Sequence, residues 1–142
     1  MRFMKVFLFL LLTTVILCSC SSGYFANKSF TKKNTKWISS DPAVWYQVDS
    51  TGTQLDGEFT WDNAAIEIHI GTIYGSVFDI YKYSGIGGIS QSDELIGGYI
   101  SSTSNTKLVV KVDKVNKDNL PGFTAKTITF IRQDNQTSAV TS

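Results

Sequence analysis

The side chains able to do chemistry are few. Both cysteines, Cys18 and Cys20, are separated only by Ser19 and close an apolar run, and His69 is the single histidine. A disulfide between the cysteines would close a very small, strained ring. A metal pair would have to complete its ligand set from His69 and scattered carboxylates. His69 sits in the alternating stretch "IEIHI" (66–70), where it faces away from Ile66, Ile68 and Ile70 as a solvent-side sheet residue, and no nucleophile-elbow sequence accompanies it. Asp41, Asp56, Asp62, Asp79 and Glu94 fall near predicted turns and strand ends, where acidic residues serve local hydrogen bonds. No two of them are marked out as an acid–base pair. "SGIGGIS" (84–90) lacks the Lys-Ser/Thr ending of a phosphate loop and precedes no helix, so it reads as a loop over the chain's surface. No Asp-rich calcium loop is present. This inventory predicts no enzyme, no cofactor and no metal.

The cysteines acquire a purpose from what precedes them. "MRFMKVFLFLLLTTVIL" places Arg2 and Lys5 before an apolar stretch from Val6 to Leu17 interrupted only by Thr13 and Thr14. A bilayer-spanning helix needs about 20 apolar residues, and this shorter run has the form of a signal-peptide core. "LCSC" (Leu17, Cys18, Ser19, Cys20) resembles the lipobox of bacterial lipoproteins, with Leu at −3, a small residue at −1 and then the acceptor cysteine. The resemblance implies cleavage between Ser19 and Cys20 and a diacylglyceryl group on the Cys20 thiol. Cys18 is the poorer acceptor, because bulky Leu17 precedes it. Residues 1–19 are then a signal peptide, expected as an N-terminal signal helix ahead of the barrel. The expected location is the bacterial cell envelope, on the extracytoplasmic side of a membrane, with the lipid on Cys20 as the membrane partner.

Charge excludes another class. The chain carries 13 basic and 12 acidic residues, and loss of Arg2 and Lys5 leaves 11 against 12. No clustered basic face of the kind nucleic acid requires is apparent. "KSFTKKNTK" (28–36) is locally basic, suited to a solvated tether or to anionic headgroups. Residues 20–35 are read as a lipidated N-terminus and flexible tether, 36–133 as one domain, and 134–142 as a C-terminal tail.

The domain is strand-like throughout. Candidate strands are 36–40, 43–49, 55–61, 64–73, 75–83, 94–101, 106–115 and 126–133, joined by connections such as "DN" at 62–63 and "STGTQ" at 50–54. Leu108, Val110 and Val112 oppose Lys111 and Asp113, as the isoleucines oppose Glu67 and His69. Period two with one apolar face marks antiparallel sheet. Eight such strands predict an all-β, up-and-down meander closing into a small barrel, with an open sandwich as the alternative.

Closure makes the first and last strands neighbours, which would let Arg132 stack on the ring of Trp37 at one barrel end. A first-strand Trp packed by a last-strand Arg is similar to the pattern of lipocalins and related calycin barrels. "TKW" stands here where lipocalins have Gly-x-Trp, and the chain is shorter. "KWISSDPAVWYQV" with a closing "KTITFIR" resembles small lipocalin-like bacterial lipoproteins of undefined function. The inward candidates Trp37, Tyr46, Phe59, Phe130 and three isoleucines are bulky, which favours a largely filled interior. The face of 75–83 that points inward is left open: Phe78 and Ile80 lie on one side, Val77, Tyr81 and Tyr83 on the other.

The expectation is a non-enzymatic binding module, with a small apolar or amphipathic ligand entering beside the 84–93 loop and Tyr81, Tyr83 and Tyr99 as its contacts. The alternative is a structural or protein-partner lipoprotein with a filled barrel, contacting an envelope protein through its surface.

Overall fold

The computed structural model describes residues 28–71, 76–83 and 93–134. The expected signal peptide with Cys18, the expected lipidation site Cys20, most of the 84–93 loop and the tail beyond Asp134 lie outside them.

Alternation in the sequence becomes register in the sheet. The strands are β1 (Lys36–Ser40), β2 (Ala43–Val48), β3 (Leu55–Trp61), β4 (Ala64–Gly71), β5 (Asp79–Lys82), β6 (Glu94–Thr103), β7 (Lys107–Val115) and β8 (Thr127–Gln133). Each pairs antiparallel with the next, and β1 pairs with β8, so the meander is a closed barrel rather than an open sandwich. The closing pair sets Trp37 opposite Arg132 and Ile38 opposite Ile131. An eight-stranded antiparallel barrel in this order is consistent with a lipocalin-like architecture. Among the described residues there is no α-helix.

Local chemistry sets the pairings. Asp62 and Asn63 both take positive φ, 50° and 61°, the geometry of a two-residue type I′ hairpin. That turn places Trp61 opposite Ala64 and, three residues further along each strand, Glu58 opposite Glu67. The strand expected over 75–83 is shorter. It begins at Asp79, while Val77 holds an isolated bridge to Tyr99. β6 carries register shifts at Gly97/Gly98 and Ile100/Ser102, which is why Leu95 to Gly98 are buried in succession instead of alternating.

The interior is filled by side chains. Trp37, Tyr46, Phe59, Phe78 and Phe130 are fully buried, together with Ile68, Ile80, Leu108 and Ile128. Phe78 and Ile80 are therefore the inward face of β5. The rings pack in defined pairs: Trp37 lies nearly parallel to Tyr46 with centroids 6.5 Å apart, and Phe130 meets Tyr46 edge-on at 5.2 Å.

Both barrel mouths are stoppered. At the end where β1 begins, residues 28–35, expected to belong to the tether, are docked on the barrel. A single 3-10 turn (Ser29–Thr31) buries Phe30, and its carbonyl accepts the Tyr46 hydroxyl at 3.0 Å. Thr35 Oγ1 accepts the Trp37 indole N–H at 3.0 Å, and the Thr35 carbonyl accepts Val48 N–H at 2.9 Å. The tether expectation is corrected for this segment. Its polar sequence hides one apolar plug and the acceptors that two buried rings need. At the other end the β7–β8 connection folds over the mouth. Leu120 is fully buried and Phe123 nearly so, Phe123 meets Trp61 at 5.1 Å, and Trp61 Nε1 donates to the Pro121 carbonyl at 3.1 Å.

Candidate functional site

With the interior occupied, surface geometry decides what the domain can do. Tyr81, Tyr83 and Tyr99 all point outward, Tyr83 and Tyr99 being 47% and 45% exposed. They do not line an internal site, which corrects the expectation that they would combine with interior aromatics. The period-two alternation that buries Phe78 and Ile80 forces Tyr81 and Tyr83 to the other face. Nor do the three tyrosines form one cluster. Tyr81 is the register partner of His69 and Glu94, whereas Tyr99 faces Lys111 and Val77 further round the barrel.

Trp37 and Arg132 are register partners, but the expected stacking is replaced by other contacts. The Trp37 ring stacks on Tyr46. The Arg132 guanidinium donates to the Asn105 carbonyl at 3.4 Å and lies 3.6 Å from the Asp134 carboxylate. Among the described residues the cation over a ring is Lys36, whose Nζ lies 4.2 Å from the centroid of Trp45.

His69 is on the outer face, as its alternation implies. Its Nδ1 lies 2.6 Å from Asp56 Oδ1, directly across the β3–β4 register. A histidine oriented by a carboxylate is two-thirds of a nucleophilic triad, but the flanking register partners are Gln47 on β2 and Tyr81 on β5, with no hydroxyl or thiol nucleophile of the serine or cysteine kind. Among the described residues no group of three or more His, Cys, Asp or Glu side chains could hold a metal ion.

Two other polar arrangements are local. Asp49 organises the β2–β3 connection: Oδ2 accepts the Thr51 hydroxyl at 2.6 Å, and Oδ1 accepts the N–H groups of Thr53 and Gln54 at 3.0 and 3.1 Å. These bonds, that of Thr51 first, lower its pKa to about 2. Asp79 Oδ1 accepts Gly98 N–H at 3.2 Å and its Oδ2 accepts the Tyr81 hydroxyl at 3.3 Å. Partial burial, and then the Asp79 and Glu94 carboxylates, raise the Tyr81 pKa.

The feature with the shape of a binding site is an outer groove of about 510 Å³ over β2, β3, β4 and the end of β5. Its core is a row of residues running from β2 across β3 and β4 to Tyr83, just past the end of β5. Trp45 is paired with Glu58, Glu58 with Glu67, and Tyr83 N–H donates to the Glu67 carbonyl at 2.8 Å. Asp49, Gln54, Gln47 and Asp56 extend it toward the β2–β3 connection. Gly57 makes the close strand approach possible, since a Cβ there would collide with the Trp45 carbonyl. Of the residues expected at a site, Tyr83 alone lines this groove. Trp45, Glu58 and Glu67 were not anticipated, although the "DN" hairpin and strict alternation are enough to set Glu58 against Glu67 on the outside.

The chain matches no protein-family model, no curated protein and no solved structure. What the structure shows is an architecture, an eight-stranded closed antiparallel meander, with a groove on that barrel's outer wall.

Proposed function

We propose that this chain is a membrane-anchored extracytoplasmic lipoprotein whose barrel acts as a non-enzymatic binding module through its outer surface. The single observation that supports a surface role is the filled and doubly stoppered barrel. Trp37, Tyr46, Phe59, Phe78 and Phe130 occupy the space an internal ligand would need, while Phe30 and Phe123 cover the two mouths. A small ligand and a protein partner, the two occupants the sequence suggests, both have to be met on the outside, where the groove over β2–β5 offers concavity. The anchor rests on the resemblance of "LCSC" to a lipobox.

Two measurements test this reading. Metabolic labelling with a fatty-acid analogue should be lost in Cys20→Ala and retained in Cys18→Ala; the reverse result overturns the anchor. Native mass spectrometry of the protein purified in detergent should show no apolar molecule retained inside the barrel. A stoichiometric apolar ligand that survives removal of the detergent overturns the surface role.

A further inference from the structure

The stopper at the Phe30 mouth carries charge as well as an apolar plug. Lys28, Lys32 and Lys33 stand exposed around buried Phe30, and among the described residues none of the three takes part in an ion pair. Their backbone is held in place. Ser29 Oγ donates to Asn105 Oδ1 at 2.9 Å, Asn34 N–H donates to the Val48 carbonyl at 3.1 Å, and a Cβ on Gly52 would meet Lys33 Cγ at 3.4 Å. Lys36 and Lys107 begin β1 and β7 at the same end. The acids there are occupied, Asp49 by the hydroxyl and N–H groups of its own turn and Asp134 by Arg132. At the opposite end acids predominate in the connections: Asp41, Asp62, Asp93 and Asp118 stand against Lys117 and Lys126. The barrel is therefore polarised along its axis, positive at the mouth where the chain enters.

That entry point decides what the basic mouth meets. With 28–35 docked, the chain from Cys20 to Lys28 spans at most about 28 Å between the expected lipid and the barrel, even when fully extended. A free tether running on to Lys36 would reach about twice as far. The short link brings this mouth to the membrane, and a lysine cluster held there is drawn to anionic headgroups. The axial polarity acts in the same sense, turning the acidic connections away from a negative surface. We propose that the docked stopper, through Lys28, Lys32 and Lys33, seats the barrel mouth-down on an anionic phospholipid surface. This rests on the anchor proposed above and names the surface on which that anchor sets the barrel.

The test uses the full chain reconstituted into vesicles of phosphatidylcholine, with and without phosphatidylglycerol, whose headgroups carry a quencher. A fluorescent amino acid stands in place of Thr106, at the basic mouth, or of Ala64, at the hairpin of the opposite end. Phosphatidylglycerol should raise quenching at position 106 about twofold or more and leave position 64 unchanged, and raised salt should remove the contrast. Lys28→Gln/Lys32→Gln/Lys33→Gln should also remove it while melting with the wild type, because the three side chains are exposed and outside every ion pair among the described residues. Equal quenching at the two positions overturns the proposal, as does an unchanged contrast in the triple variant. A label at 106 that responds to polyglutamate but not to phosphatidylglycerol overturns it in favour of an acidic macromolecule. The anchor is read separately, by the fatty-acid labelling described above: a chain that takes up the label but shows no contrast fails this proposal and leaves the anchor standing.

Discussion

The hydroxyl of Tyr46 donates to the carbonyl oxygen of Phe30 at 3.0 Å, joining a fully buried ring of β2 to the segment that stoppers the barrel mouth. One bond satisfies two buried polar groups, and it ties the segment before β1 into the folded domain. Burial raises the Tyr46 pKa well above that of a free tyrosine.

Removing that bond should be costly. Tyr46→Phe leaves the Phe30 carbonyl unsatisfied and should destabilise by about 1–3 kcal/mol, measured by urea unfolding. The pH dependence has a definite sign. A folded-state pKa raised above the unfolded value of about 10 gives stability that is full below pH 10 and lost as pH rises beyond it. Wild-type melting temperature should therefore fall steeply above about pH 10. Tyr46→Phe should fall less steeply, the remaining slope coming from groups such as Tyr81, whose pKa is also raised.

Trp37 closes the barrel by packing, not by holding Arg132. Trp37→Ala should cost about 3–5 kcal/mol. Arg132→Ala removes a long carbonyl contact and an ion pair to an exposed carboxylate, and should cost about 1 kcal/mol or less. A double-mutant cycle should give a clear coupling for Trp37 with Tyr46 and almost none for Trp37 with Arg132. The opposite ranking would restore the cation–ring arrangement that the residue types suggest.

The opposite mouth depends on Phe123. Its ring meets both Phe59 and Trp61 and is almost completely buried. Phe123→Ala should destabilise by about 3 kcal/mol or more. It should also shift tryptophan emission to the red, because Trp61 would lose its cover. An unchanged emission spectrum would show that the 116–126 connection does not hold this position in solution.

Asp49 makes a prediction in acid. Its pKa of about 2 lies below the ordinary value of 3.8, so its hydrogen bonds support the fold above about pH 4 and are lost as pH falls through 2. Asp49→Asn should flatten the part of the melting-temperature profile between these limits. A wild-type profile already flat there would remove the role assigned to the Thr51, Thr53 and Gln54 bonds.

The sequence by itself determined the order of the strands and, where alternation is strict, their faces, because both follow from short-range rules. Alternation in "AAIEIHIG" commits Ile68 inward and His69 outward before any neighbour is known, and the two-residue Asp62–Asn63 turn carries the β3–β4 register with it. Closure was legible as the preferred outcome over an open sandwich: a meander of eight short antiparallel strands leaves a first and a last edge, which the β1–β8 pairing removes. Tertiary structure alone decided the rest. Whether "KSFTKKNT" is tether or stopper depends on Phe30 reaching Tyr46 across 16 residues, and nothing local in a lysine-rich segment announces it. The same holds for Leu120 and Phe123, whose loop has no periodicity. For 75–83, alternation defined two faces but could not say which was inside; Phe78 took the interior, and Ile80 with it, where the Tyr46 and Phe130 rings receive the Phe78 ring. That choice sent Tyr83 outward to the groove. Local patterns specify which residues share a face, and only long-range packing specifies what each face meets.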